Sequence, residues 1–195
     1  MKKKHLVSMA FTIGVAFFAL AVQASARVKM VALPERGKTI IRLDNPQATL
    51  IEEERVLTLQ KGLNHVDFSW KGVSIDPDSI RLTVLTTPDK VNLLSVSYPP
   101  NEAALVWEIS SVDASEVTVR ISYLLSFIDR LTTYKAVADK GETKVNLKSF
   151  LVLRNFSGED FDNASVLLGS GQSSEESNSH EETKQLLFLD RDGVP

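Results

Sequence analysis

The sequence predicts an all-β protein, an antiparallel β-sandwich or possible pair of small β-modules, behind an N-terminal signal helix. Three observations predict it. Apolar residues recur at every second position, turn signals interrupt the chain at short intervals, and no stretch has the spacing of a long amphipathic helix. Many short strands with regular turns characterise sandwiches and barrels.

The first element stands outside the fold. Lys2, Lys3 and Lys4 form a positive start, residues 6–22 are apolar and uncharged, and Ala24-Ser25-Ala26 offers the small-x-small pattern that signal peptidase accepts. Residues 1–26 are therefore read as a secretory signal with Ala24 and Ala26 at the cleavage site, and the product is expected in the periplasm or outside the cell. The competing reading is an uncleaved anchor, since the apolar run approaches the span of about 20 residues that crosses a bilayer; the Ala-x-Ala site favours cleavage.

The clearest strand is 116–125. Val117, Val119, Ile121 and Tyr123 alternate with Thr118, Arg120 and Ser122, as in a strand with one buried face. Residues 38–43, 55–59, 64–68, 80–85, 104–109, 145–154 and 165–168 repeat the pattern more weakly. Between them lie turn signals such as Gln60-Lys61-Gly62, Asp76-Pro77-Asp78, Pro99-Pro100-Asn101, Lys140-Gly141-Glu142 and Ser157-Gly158-Glu159. Residues 126–138 are ambiguous: Phe127, Ile128, Leu131 and Tyr134 fit a helical face, whereas Thr132-Thr133-Tyr134 favours a strand.

Composition then shifts. Residues 170–183 are polar, acidic and serine-rich, and are read as a disordered linker because they cannot bury enough surface to order themselves. Residues 184–195 hold one more strand and a tail. That strand either returns to a sheet formed before the linker or pairs with something outside this chain. The predicted organisation is a signal at 1–26, β-modules at 27–98 and 99–169 meeting near Pro99-Pro100, the linker, and the C-terminal strand.

Charge and composition exclude several functions. Without Lys2, Lys3 and Lys4 the chain keeps 19 basic residues against 25 acidic ones, a formal charge of −6, which disfavours nucleic acid as a partner. It contains no cysteine, so disulfides, thiol nucleophiles and thiolate metal sites are excluded, and the core must carry the stability.

The chain ends in "LFLDRDGVP", an apolar run feeding into Asp190-Arg191-Asp192-Gly193. Phosphoaspartate-forming hydrolases open this way, with the first aspartate as nucleophile and the second as acid/base. They also need downstream residues to stabilise the phosphoryl group, and only Val194 and Pro195 follow. A calcium loop also begins D-x-D-G, but its remaining ligands are missing. A strand running into an Asp-Gly turn is the preferred reading.

His65 and His180 are the histidines beyond the signal. They form no metal-binding pair, so no metal or cofactor is expected. Glu52-Glu53-Glu54 and Glu175-Glu176 are read as solvated charge, because strand neighbours point to opposite faces. Asn155 and Asn163 lie in glycosylation sequons, although in a bacterial periplasm they would remain unmodified, with Asn155 and Gly158 acting as turn residues. Trp70 follows a strand and precedes Gly72. An exposed aromatic there would stack on a sugar or peptide, whereas the plainer reading is a core or rim residue; Trp107 is read as core.

Two blocks carry a family resemblance. Residues 49–85, "TLIEEERVLTLQKGLNHVDFSWKGVSIDPDSIRLTVL", and residues 119–171, ending "NFSGEDFDNASVLLGSG", resemble the mucoidy-inhibitor-A-like exported proteins that carry the domain of unknown function 4139. The signature falls on Asn155, Ser157, Gly158, Phe161, Ala164, Val166, Leu168 and Gly169. Asp129-Arg130-Leu131 stands where that family has a Trp, and its members continue further, so the resemblance implies its N-terminal part or a shortened member. It implies an exported β-rich protein of uncharacterised role and supplies no catalytic residues.

The expectation is a non-enzymatic envelope protein that binds or scaffolds an envelope protein or glycan, with self-association through the C-terminal strand as a further route. A carbohydrate- or peptide-binding module, and a hydrolase with acids from separate strands, are the alternatives.

Overall fold

A computed structural model describes residues 29–45, 48–168 and 173–194. The proposed signal, with Ala24 and Ala26, and the signature's Gly169 lie outside the described residues. Within them the protein is all-β, with two single-turn 3-10 helices. No helix among them is long and apolar enough to cross a membrane.

Three sheets form. The largest runs β12 (Ser173–Asn178), β11 (Phe161–Leu167), β2 (Thr39–Arg42), β3 (Thr49–Leu59), β8 (Ser115–Leu125), β5 (Arg81–Val84). The second runs β1 (Lys29–Val31), β4 (Gly62–Ser69), β7 (Ala104–Ser111), β6 (Val91–Ser97). The third runs β13 (Thr183–Val194), β10 (Val145–Asn155), β9 (Ile128–Ala138). Pairing is antiparallel except for β1 with β4 and β2 with β11.

Alternation decides what faces inward. On β8 the buried positions are Val117, Val119, Ile121, Tyr123 and Leu125; on β7 Leu105, Trp107 and Ile109; on β4 Asn64, Val66 and Phe68. The Phe68 ring lies 5.9 Å from that of Tyr123, which places the second sheet face to face with the first. Leu151 and Leu153 of β10 and Leu186 of β13 join the same core.

The chain does not divide at Pro99-Pro100. Those prolines sit in the connection between β6 and β7, neighbours in one sheet, and β2, β3 and β5 share a sheet with β8, β11 and β12. Of the segment 126–138, Ile128–Ala138 is strand and pairs along its whole length with β10, while Ser126 and Phe127 form the bend before it. The C-terminal strand also pairs with β10, so it returns to a sheet built from earlier sequence.

The acidic run read as linker contains β12, which ladders onto β11. Backbone bonds, not apolar burial, order it, and composition does not report those. Two anchors follow it: His180 Nδ1 accepts the Gly158 N–H at 3.0 Å, and the His180 N–H donates to Asp160 Oδ1 at 2.6 Å.

Candidate functional site

The site begins with the parity of β3. Ile51, Leu57 and Leu59 point inward, so Glu53 and Arg55 do as well. Glu53 is fully buried, which corrects its reading as solvated charge. Glu52 and Glu54 do face outward, where they pair with Arg42 at 2.6 Å and Arg120 at 2.8 Å.

A buried carboxylate needs partners, and among the described residues Glu53 has three. Arg55 donates from Nε and Nη2 to its Oε1 at 3.0 and 2.9 Å. Arg36, in the connection before β2, places Nε 2.7 Å from its Oε2. The Tyr123 hydroxyl lies 3.4 Å from the same oxygen.

The arginines are fixed at their far ends too. Arg36 Nη2 meets Glu159 Oε1 at 2.5 Å, its Nη1 donates to the Asp160 carbonyl at 2.9 Å, and its guanidinium lies 5.6 Å from the Phe161 ring centre. Arg55 Nη1 donates to the Pro34 carbonyl. The backbone holds the Arg36 segment to β3, with the Gly37 N–H on the Glu54 carbonyl at 2.8 Å and the Glu54 N–H on the Lys38 carbonyl at 2.9 Å.

Burial pushes the Tyr123 phenol well above its usual range, and the nearby Glu53 charge adds to the shift. Burial opposes the Arg36 charge, but the carboxylates of Glu53 and Glu159 help to offset it and its pKa rises. The network therefore holds a neutral tyrosine beside charged arginine.

Beside this network lies a cavity of about 290 Å³. Phe68, Trp70 and Tyr123 form an aromatic wall, with Leu33 and Ile75 adding apolar surface. Arg36, Arg55, Asp67, Ser69 and Glu159 supply its polar groups. The same two arginines line a second cavity, of about 490 Å³, bordered by Glu35, Thr39 and Asp162. A larger cleft of about 560 Å³ runs past Asp76, Phe127 and Arg130, away from the buried charges.

Trp70 is thus no freely exposed platform. It is 8% exposed, tilted against Phe68 with ring centres 5.9 Å apart, and forms part of a cavity wall. Trp107 is core. His65 lies on the face of β4 opposite the buried Asn64 and Val66.

The signature residues build the wall behind the arginines. Asn155 is buried at the end of β10; its Nδ2 donates to the carbonyls of Glu159 at 2.7 Å and Asn178 at 3.3 Å, and its Oδ1 accepts from the backbone and hydroxyl of Ser157 at 3.1 and 2.6 Å. That amide is closed to glycosylation in the folded chain, whereas Asn163 is exposed. Gly158 has φ +87°, and a Cβ there would lie 2.1 Å from the Gly72 carbonyl oxygen. The Ser74 N–H donates to the Ser157 carbonyl at 2.9 Å, so this turn is pressed against the loop that follows Trp70.

Asp190 and Asp192 lie within β13, not on a loop above a sheet. Asp190 pairs with Lys148, its cross-strand neighbour, at 2.8 Å. Among the described residues no three His, Asp or Glu side chains are grouped to hold a metal ion.

No protein-family model, curated protein or solved structure matches this chain.

Proposed function

We propose that this is an exported, non-enzymatic binding protein of the bacterial cell envelope, related to the mucoidy-inhibitor-A-like proteins, and that it takes a single sugar unit of a glycan in the cavity at Trp70. One observation carries the binding reading. The guanidiniums of Arg36 and Arg55, which line the cavity, are each tied to several fixed partners, so the polar groups there are positioned in advance of any ligand.

The sugar reading rests on the pairing of three aromatic rings with planar charged groups. A pyranose has apolar C–H faces that pack on an indole and hydroxyls at its rim that bond to carboxylates and guanidiniums. A cavity of about 290 Å³ accommodates about one such ring. A ligand that binds only the folded state raises its melting temperature. N-acetylglucosamine, glucose and their disaccharides, each at millimolar concentration, test this by thermal shift. At least one is expected to stabilise the protein but not the W70A variant, and equal shifts in both would exclude the cavity as the site.

A further inference from the structure

The third sheet has two edges that differ in kind. β13 carries Asp190, Arg191 and Asp192 at its end, and Gly193 takes φ +68°. Charge and irregular backbone of this sort discourage pairing with another chain. β9 is an 11-residue strand with one neighbour among the described residues, β10, and no irregularity in that register. It contains no proline, and Leu131, Tyr134 and Val137 are more than half exposed. An edge this long and regular is a template for another strand.

The side chains of β9 specify which strand. In an antiparallel pair of two β9 strands with the two-fold axis at Thr132, Asp129 of each copy stands opposite Lys135 of the other. Both ion pairs form by symmetry. Leu131 then faces Thr133 and Ile128 faces Ala136, while Arg130, whose guanidinium donates to the Asn45 carbonyl of its own chain, stands opposite Tyr134. Neighbouring registers lose this match: an axis at Thr133 sets Asp129 against Val137, and one at Lys135 sets lysine against lysine. Opposite charges directly across a ladder stabilise it and like charges destabilise it.

Within its own sheet Lys135 is opposite Lys148, whose charge is already matched by Asp190. Asp129 is opposite Arg154, yet no ion pair forms between them among the described residues. We propose that β9 is a homodimer seam: two copies join antiparallel over residues 128–136 with the axis at Thr132, making one continuous six-stranded sheet.

The absence of cysteine makes the register directly testable. Mild oxidation of T132C is expected to give a disulfide-linked dimer in high yield, because residues facing each other across an antiparallel pair lie about 4.5–5.5 Å apart at Cα. Y134C should not cross-link, since its two copies would lie four residues, about 13 Å, apart. By light scattering, D129K and K135D should each weaken the dimer by about tenfold or more, and an equimolar mixture of the two should recover it, because both ion pairs re-form in the mixed dimer. A protein that stays monomeric at 100 μM, equal cross-linking at Thr132 and Tyr134, or no recovery on mixing would overturn the proposal.

Discussion

Glu53 Oε2 lies 2.7 Å from Arg36 Nε on the inward face of β3, between Ile51 and Leu57. The contact ties the connection before β2 to the middle of the largest sheet. Removing the carboxylate charge leaves Arg36 and Arg55 facing a neutral group in a desolvated place. E53Q is therefore expected to lower the unfolding free energy by about 3–5 kcal/mol in urea titrations. A loss within about 1 kcal/mol would show that the network is hydrated and contributes as a surface pair does.

Tyr123 gives the network a pH dependence. Its folded pKa is raised above the unfolded value of about 10, so its contribution to stability is full below that pH and is lost as pH rises through it towards the folded pKa. Melting temperature should fall above about pH 10, and less steeply in Y123F. In an absorbance titration of phenolate, Tyr123 should ionise only as the protein unfolds.

Gly158 and Gly72 both have positive φ, but they differ in surroundings. G72A meets open space and loses only the backbone preference, about 1 kcal/mol. G158A adds a clash with the Gly72 carbonyl and should cost clearly more, about 2 kcal/mol or above. Equal effects in denaturant melts would show that the two loops are not pressed together.

Ending the chain at Leu168 removes β12 and β13. β10 then loses one neighbour along its length, the core loses Leu186, and Asn155 loses its Asn178 acceptor. The shortened protein should melt at least 10 °C lower or aggregate. An unchanged melting temperature would show that the last two strands are dispensable.

Much of the fold was legible because period-two alternation is a strong signal where one face is dry. The strand at 116–125 appears at nearly its observed length. β3 is legible only from Arg55, since three consecutive glutamates mask its first half, although Ile51, Leu57 and Leu59 put Glu53 on the inward face. β9 and β12 are edge strands held by backbone bonds, so their side chains had little to report. The site was half legible. Trp70 stands out in the sequence, but it packs on Phe68, which in turn meets Tyr123 of the facing sheet, and Arg36 is brought to Glu53 by a contact 17 residues apart in sequence that no spacing rule predicts.

Sugar binding in the cavity at Trp70 changes the surroundings of one indole. Its most direct measurement is tryptophan fluorescence of the purified protein titrated with N-acetylglucosamine, glucose and their disaccharides, beside W70F. Trp107 is fully buried and supplies a constant background. A saturable change in the native protein with at least one of these sugars, absent in W70F, is the predicted result. No change with any of them, or the same change without Trp70, would contradict the account.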